Sequence, residues 1–400
     1  MKLLLYSHFF PPSVGGVETI VLSLARGLAG LRNPGGDAEF EVTLATQTPA
    51  EKFDDGSLPF RVVRQPNVIH LWDLIRASDA IHVAGPSLAP LFLGLLARRP
   101  IVLEHHGYQA VCPNGLLVQR PEDTICPGHF LARNYGECAR CLGQESSRLG
   151  SWAALLLMFP RHFLARRAAV NLAISKHTLK RCELPRSSVI YYGIEDPLGS
   201  AVPSGETSAS PRNICFAYVG RLVSEKGIAV LLEASRLLRD EGHSFQVRLI
   251  GDGPERAKLE AAIARDHLES CVQVTGFLTG TAFAAALRDV RVVVMPSVWE
   301  ETAGLAAIEQ MMRGRLVIAS DIGGLGEVLG DAGLKCPPGD PAALASAMRN
   351  VLQQPSLVDS FGQIARERAL QLFVRERMIA EHADVYRGFS AKPTARSEER

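Results

Sequence analysis

Short apolar runs alternate with amphipathic stretches along almost the whole chain, and this rhythm limits the fold more than any other feature. In the first half, runs read as strands at Lys2–Ser7, Phe40–Gln47, Arg61–Gln65, Ala80–Ala84, Pro100–His105, Val170–Ser175 and Val189–Tyr192. Helical patterns lie between them at Gly16–Leu31, Ser87–Arg98 and Ser151–Arg167, the last interrupted by Pro160. The second half repeats the beat. Strands are expected at Cys215–Val219, Phe245–Ile250, Cys271–Thr275, Arg291–Met295 and Leu316–Ser320, and helices at Gly227–Arg239, Glu255–His267, Thr281–Arg288 and Gly304–Arg313. Strand–helix alternation means crossover connections, and therefore parallel sheets covered on both faces. The expectation is an α/β protein of two Rossmann-like domains facing across a cleft.

The divide falls where little can be buried. Residues 194–212 carry Pro197, Gly199, Ser200, Pro203, Ser204, Gly205, Ser208, Ser210 and Pro211. The expected order is a domain over 1–193 with a Cys-rich insertion at 108–145, a linker over 194–212, a second domain over 213–373, a C-terminal helix over 374–390 and a polar tail over 391–400. A chain of 400 residues fits two or three domains of ordinary size.

Charge excludes some functions. Lys plus Arg number 43 against 42 for Asp plus Glu, which argues against a dedicated nucleic-acid binder. The balance is uneven: residues 1–193 hold 20 basic and 15 acidic groups, and eight of the eleven His. That half is expected to meet an anionic acceptor or a membrane surface. The most apolar stretches, Ala89–Ala97 and Trp152–Pro160, fall short of the roughly 20 residues a span requires. The N-terminus lacks the pattern of a signal peptide, so a cytoplasmic location is expected, at the inner face of the membrane. Ser151–Arg167 combines Trp152, Leu155, Leu156, Leu157, Phe159 and Phe163 with Arg161, Arg166 and Arg167. That composition suits either interfacial docking or a core helix with a basic end.

Glycine-rich turns follow the expected strands. Gly15 and Gly16 open the first helix, where bare backbone amides approach an anion closely. Gly220-Arg221 with Lys226-Gly227 sits at the same place in the second half, and its Arg fork and Lys charge suit a diphosphate. Gly251 and Gly253 follow the next strand and could line a nucleotide base. After Arg291–Met295 comes Glu301, then Thr302, Ala303, Gly304 and Leu305, whose amides open a helix carrying Glu309. A helix N-terminus there can bind a phosphate, and the two carboxylates can accept sugar and ribose hydroxyls. Glu301 could equally only cap the helix, with Glu309 solvated. Gly323-Gly324, after Leu316–Ser320, adds a third glycine-rich turn within the second half.

Taken in order and spacing together, these pieces resemble the family 4 retaining glycosyltransferases of the GT-B fold, over about residues 1–390. The resemblance implies a nucleotide-diphosphate sugar donor (UDP or GDP), held mainly by the second domain, and a glycan or lipid-linked acceptor. It implies that Arg221 and Lys226 neutralise the diphosphate, that Glu309 binds the ribose and that Glu301 lies near the transferred sugar. It implies transfer without a metal cofactor. A His at the end of strand Pro100–His105 would contact the donor sugar; His106 fits best, counting back from Cys112-Pro113, with His105 as runner-up. Ser175 matches a Ser found at the end of its strand. Two positions depart from the family pattern: Ala303-Gly304 stands for Phe-Gly, and Tyr192-Gly193 for Asn-Gly. A nucleotide-sugar epimerase or hydrolase, or a non-catalytic nucleotide-sugar-binding module, would fit the same fold.

Cys112, Cys126, Cys138 and Cys141 fall in the insertion, the last two as Cys-x-x-Cys. Four thiolates can close a tetrahedral zinc site, and a segment that forms no core of its own gains most from such a staple. Free thiols, or disulfides in an oxidising compartment, are the alternatives. Cys182, Cys215, Cys271 and Cys336 read as packing.

Overall fold

The computed structural model describes residues 1–51, 53–144, 147–199 and 214–390. It divides into two compact units: Met1–Glu122 with Cys126–Ile194 and Val374–Arg400, and Glu195–Phe373 with Asp123–Ile125. Most of the expected linker (200–212) and the tail lie outside the described residues.

The first unit is built on a seven-stranded parallel sheet. Its strands are β1 (Lys2–Ser7), β2 (Glu41–Thr46), β3 (Arg61–Arg64), β4 (Ala80–Ala84), β5 (Ile101–His105), β6 (Val170–Ala173) and β7 (Ser187–Val189), in the order β3-β2-β1-β4-β5-β6-β7. The second unit has six: β8 (Cys215–Val219), β9 (Gln246–Ile250), β10 (Val272–Gly276), β11 (Val290–Met295), β12 (Leu316–Ser320) and β13 (Leu334–Cys336), in the order β10-β9-β8-β11-β12-β13. In both sheets all strands are parallel, and the order of winding switches between the first and fourth strands, which lie side by side. In open sheets of this kind, that switch in strand order at the carboxyl ends is where ligands bind.

The strands form because they are short, apolar and covered on both faces. Every residue of β4, β5 and β12 is buried. The core of the second unit packs Phe216, Tyr218, Leu231, Val247, Val292 and Ile318 with helices on either side.

Three local expectations change. The last strand of the first sheet ends at Val189, which leaves Tyr192 beyond it as a buried loop residue. The helix expected to break at Pro160 runs unbroken over Arg148–Ala165. Proline inside a helix costs about 3 kcal/mol, and burial of Leu155, Met158 and Leu164 on this helix offsets it. The Cys-rich insertion is also not coreless. It contains the helix Tyr135–Leu142, and Phe130, Cys138 and Leu142 pack with Leu155 and Met158.

Helix Arg148–Ala165 leaves a second apolar face uncovered among the described residues. Leu149, Trp152, Leu156, Phe159 and Phe163 recur at helical spacing and are exposed, with Leu156 at 63%. Phe92 and Leu96 of the neighbouring helix Leu88–Leu96 are exposed too. Arg166 and Arg167 border this face, and the Arg167 guanidinium lies 4.5 Å from the centre of the Phe163 ring.

Candidate functional site

In the second unit, the loops after β8 and β11 flank the switch in strand order. They are held together at backbone contact. Gly227 has φ +67°, and a Cβ there would sit 1.9 Å from the Pro296 carbonyl oxygen. The Val298 amide donates to the Glu225 carbonyl at 3.0 Å. The turn after β9 closes on the same loop: Gly251 has φ +151°, and its Cβ would lie 1.8 Å from the Gly220 carbonyl oxygen. A Cβ on Gly253 would lie 2.4 Å from the Leu222 carbonyl oxygen. These glycines let three loops approach as only bare backbone can.

The close approach brings charges together. Lys226 Nζ lies 3.0 Å from Glu301 Oε1, with the Glu301 side chain only 6% exposed. The Ser297 hydroxyl donates to the same carboxylate oxygen. Lys226 also lies 5.7 Å from the centre of the Trp299 ring. Arg221 differs. Its carbonyl accepts from the Tyr218 hydroxyl at 2.7 Å, but its side chain is exposed and its guanidinium has no partner among the described residues.

Helix Leu305–Met312 starts from Gly304 at φ +72° with no side-chain cap. Its first amides thus have no capping side chain of their own. Thr302 is half-buried, and Ala303 and Gly304 are buried. Gly323 and Gly324 pack on the backbone of Glu301 and Thr302, and the Gly324 amide donates to the Glu301 carbonyl at 2.5 Å. Glu309 is half-buried, and desolvation raises its carboxyl above the ordinary value, opposed by Arg313. The assembly offers one cation tied to a carboxylate, a second free cation, and a helix N-terminus. That combination suits an anionic, hydroxyl-bearing ligand.

The first unit answers its expectations differently. Helix Gly16–Gly30 starts from Gly15 in extended backbone, again without a side-chain cap. The Glu18 carboxylate packs over it, since a Cβ on Gly15 would be 2.3 Å from Glu18 Oε2. The Ser13 hydroxyl donates to the other oxygen at 3.0 Å. Ser175 caps helix Lys176–Cys182, where its hydroxyl oxygen accepts from the Thr178 amide at 3.1 Å.

His106 follows β5, and both its ring nitrogens are engaged inside the first unit. Nδ1 lies 2.8 Å from the Tyr192 hydroxyl, and Nε2 lies 3.4 Å from Glu104 Oε2. The departure at Tyr192 thus supplies a hydroxyl to this His. His105 points to the opposite face, where its Nε2–H donates to Asn171 Oδ1 at 2.9 Å and burial pushes its pKa down to about 4. Sequence reasoning missed Glu104. The available signal was a carboxylate in the apolar run Ile101–His105. Burial opposes its charge, but the imidazoles of His106, His382 and His82 outweigh burial and hold it well below the ordinary carboxylate range.

The four cysteines of the insertion line a single cavity with Asn114, Val118 and His129. Backbone amides of Leu117, Asn114 and Gly115 bond to the Cys112 sulfur. The Gly128 amide donates to Cys126 Sγ at 3.5 Å, and the Arg120 amide to Cys141 Sγ at 3.3 Å. Burial outweighs these amides and pushes the Cys112 thiol up to about 11 and the Cys138 thiol up to about 12, and among the described residues the four sulfurs do not gather closely enough to share one ion.

Residues 213–354 match the profile of the family described as "Glycosyl transferases group 1". A 2-deoxystreptamine glucosyltransferase of Streptomyces kanamyceticus is 36% identical over 170 residues, 42% of each chain. The amylovoran biosynthesis glycosyltransferase AmsK of Erwinia amylovora is 32% identical over 264 residues, 63% of this chain and 61% of that one. The match to the first of these therefore spans under half of that relative's length. Among solved structures, Anabaena HepE in complex with UDP superposes with a TM-score of 0.70 at 19% identity, over 97% of this chain and all of that one. The chain has the GT-B fold.

Proposed function

We propose that this chain is a retaining glycosyltransferase that moves a sugar from a nucleotide-diphosphate donor, UDP- or GDP-linked, to a glycan or lipid-linked acceptor. The observation that carries the reading is the loop cluster around Lys226, Glu301 and the Gly304 helix start, within the segment that matches the group 1 profile. A complex of HepE with UDP on the same fold supports a uridine donor.

The difficult step is departure of a nucleotide diphosphate, on which negative charge grows. Donors aimed at that charge stabilise the transition state more than the ground state. Lys226 and the exposed Arg221 supply positive charge, and the amides from Thr302 to Leu305 supply dipoles. Glu301 orients Lys226 and accepts sugar hydroxyls. Glu309 accepts the ribose hydroxyls. Gly220, Gly251 and Gly253 admit the nucleotide at backbone distance. His106, its side chain 5% exposed and both ring nitrogens engaged, meets a sugar only if one of those contacts opens. The leaving phosphate takes the acceptor proton, so this scheme contains no separate general base.

A thermal-shift panel of nucleotide diphosphates and their sugars tests the donor. A ligand at 100 times its Kd raises stability by about 2.7 kcal/mol. UDP or GDP should lift the midpoint while the monophosphates lift it less. No shift with any diphosphate, or turnover of the donor sugar into an isomer without acceptor, would end the proposal.

The exposed face of helix Arg148–Ala165 suits a lipid-linked acceptor. Its apolar residues and bordering arginines are the composition of an interfacial helix. Each arginine near an anionic surface contributes about 1 kcal/mol. Reversing charge at Arg166 and Arg167 together should weaken sedimentation with phosphatidylglycerol vesicles at least tenfold. Equal binding by the reversed and native chains would remove membrane docking from the reading.

A further inference from the structure

Three imidazoles converge on the buried Glu104 carboxylate in the first unit. His82 Nε2 lies 3.1 Å from Oε2, and His382 Nε2 lies 3.6 Å from Oε1. His106 Nε2 approaches Oε2 from outside this set. His82, Glu104 and His382 are each at most 1% exposed, and the ligand-type atoms of these three lie within 4.8 Å of one another.

Their outer nitrogens fix what the inner ones can do. His382 Nδ1 lies 2.8 Å from the Met378 carbonyl oxygen, which can only accept, so Nδ1 carries the hydrogen. In the neutral ring, His382 Nε2 then turns a lone pair toward a carboxylate oxygen, and it has no hydrogen-bond partner among the described residues. Such a contact is favourable only if a cation sits on or between the two atoms. His82 Nδ1 meets the Tyr386 hydroxyl at 2.8 Å, which can accept the Nδ1 hydrogen and free Nε2 as a donor of electrons. Metal-bound imidazoles are held in this manner, with the far nitrogen bonded to a carbonyl or a polar side chain.

Distances agree. Bonds of about 2.0–2.1 Å to a tetrahedral ion place neighbouring ligand atoms about 3.3 Å apart. His82 Nε2 lies 3.1 Å from Oε2 and His382 Nε2 3.6 Å from Oε1, each close to that spacing, and one ligand atom from each of the three residues lies within 4.8 Å of the other two.

We propose that His82, Glu104 and His382 form a buried site for a divalent metal ion of the zinc class. Two imidazoles and one carboxylate make a nitrogen–oxygen set that suits zinc or cobalt. The ion would join helix Arg375–Ser390, which carries His382, to β4 and β5, and bind as the unit folds. Its role is structural, and it stands independently of the proposed transfer activity.

X-ray absorption on the full chain after equilibration with zinc tests it directly. The expected result is a nitrogen/oxygen shell at about 2.0–2.1 Å, apart from any sulfur shell at about 2.3 Å from the cysteine insertion. Elemental analysis should then give one zinc fewer per chain for His382→Gln than for the native protein. Glu104→Gln should lose the same equivalent. A spectrum with sulfur neighbours alone, no bound zinc, or equal zinc in native and folded variant chains overturns the proposal and leaves a proton as the cation. If both variants fail to fold, the native spectrum decides by itself.

Discussion

Replacing Lys226 by alanine is expected to lower kcat for sugar transfer by about 10²–10³, the cost of losing one charge-stabilising donor from a water-poor site. The geometry gives a reason to expect more than lost attraction. Lys226 is the ion-pair partner of Glu301, which is buried and further bonded by Ser297. Removing the ammonium leaves that carboxylate without its cation, close to the proposed diphosphate site. A buried charge stripped of its partner is strongly unfavourable. Glu301→Gln in the Lys226→Ala background should therefore recover part of the donor affinity, though not the rate. Lys258→Ala, which alters an exposed lysine paired with Glu255, serves as a control with unchanged activity. Steady-state kinetics with the donor identified by thermal shift makes the measurement. Native kcat in Lys226→Ala would sink the assignment.

Gly227→Ala should destabilise the second unit by about 2–5 kcal/mol. Two effects add. At φ +67° a side chain costs about 1–2 kcal/mol. The new methyl would also lie 1.9 Å from the Pro296 carbonyl oxygen and 2.9 Å from its carbon, so the loop after β11 has to move. Overpacking of this kind costs about 1–3 kcal/mol. Gly242→Ala separates the two effects: φ is +82° there, but nothing lies within 4 Å of the added atom. It should cost only the conformational part. Thermal denaturation compares them, at about 2–4 °C per kcal/mol for a unit of this size. Equal midpoints for the two variants would mean that the loops yield freely, and the rigid approach of the β8 and β11 turns would be wrong. Donor affinity should fall with Gly227→Ala even below the unfolding range, because the same shift displaces Lys226.

Much of this was legible in the chain because it depends on neighbours in sequence. Strands Ala80–Ala84, Cys215–Val219 and Leu316–Ser320 stand where the apolar runs placed them. Helix boundaries moved by one to three residues, since terminal turns depend on caps such as Gly304. Pro160 was misleading because local propensity was weighed without the buried side of its helix. The cysteine insertion was misleading for a related reason. Its small core borrows Leu155 and Met158 from a helix that lies beyond it in sequence.

Periodicity and glycine spacing alone determined two parallel sheets, their carboxyl-end loops and the cationic turn at Gly220–Gly227, because each is a local pattern of burial or backbone freedom. Only the tertiary structure decided which charges meet. Lys226 finds Glu301 because the loops after β8 and β11 touch through Gly227. His82 finds Tyr386, 304 positions away, and His382 reaches Glu104 from a helix in another part of the chain. The reason is physical. Burial selects apolar residues by local rule, but a buried charge must be answered by whatever partner packing brings within a few ångströms, at any separation along the sequence.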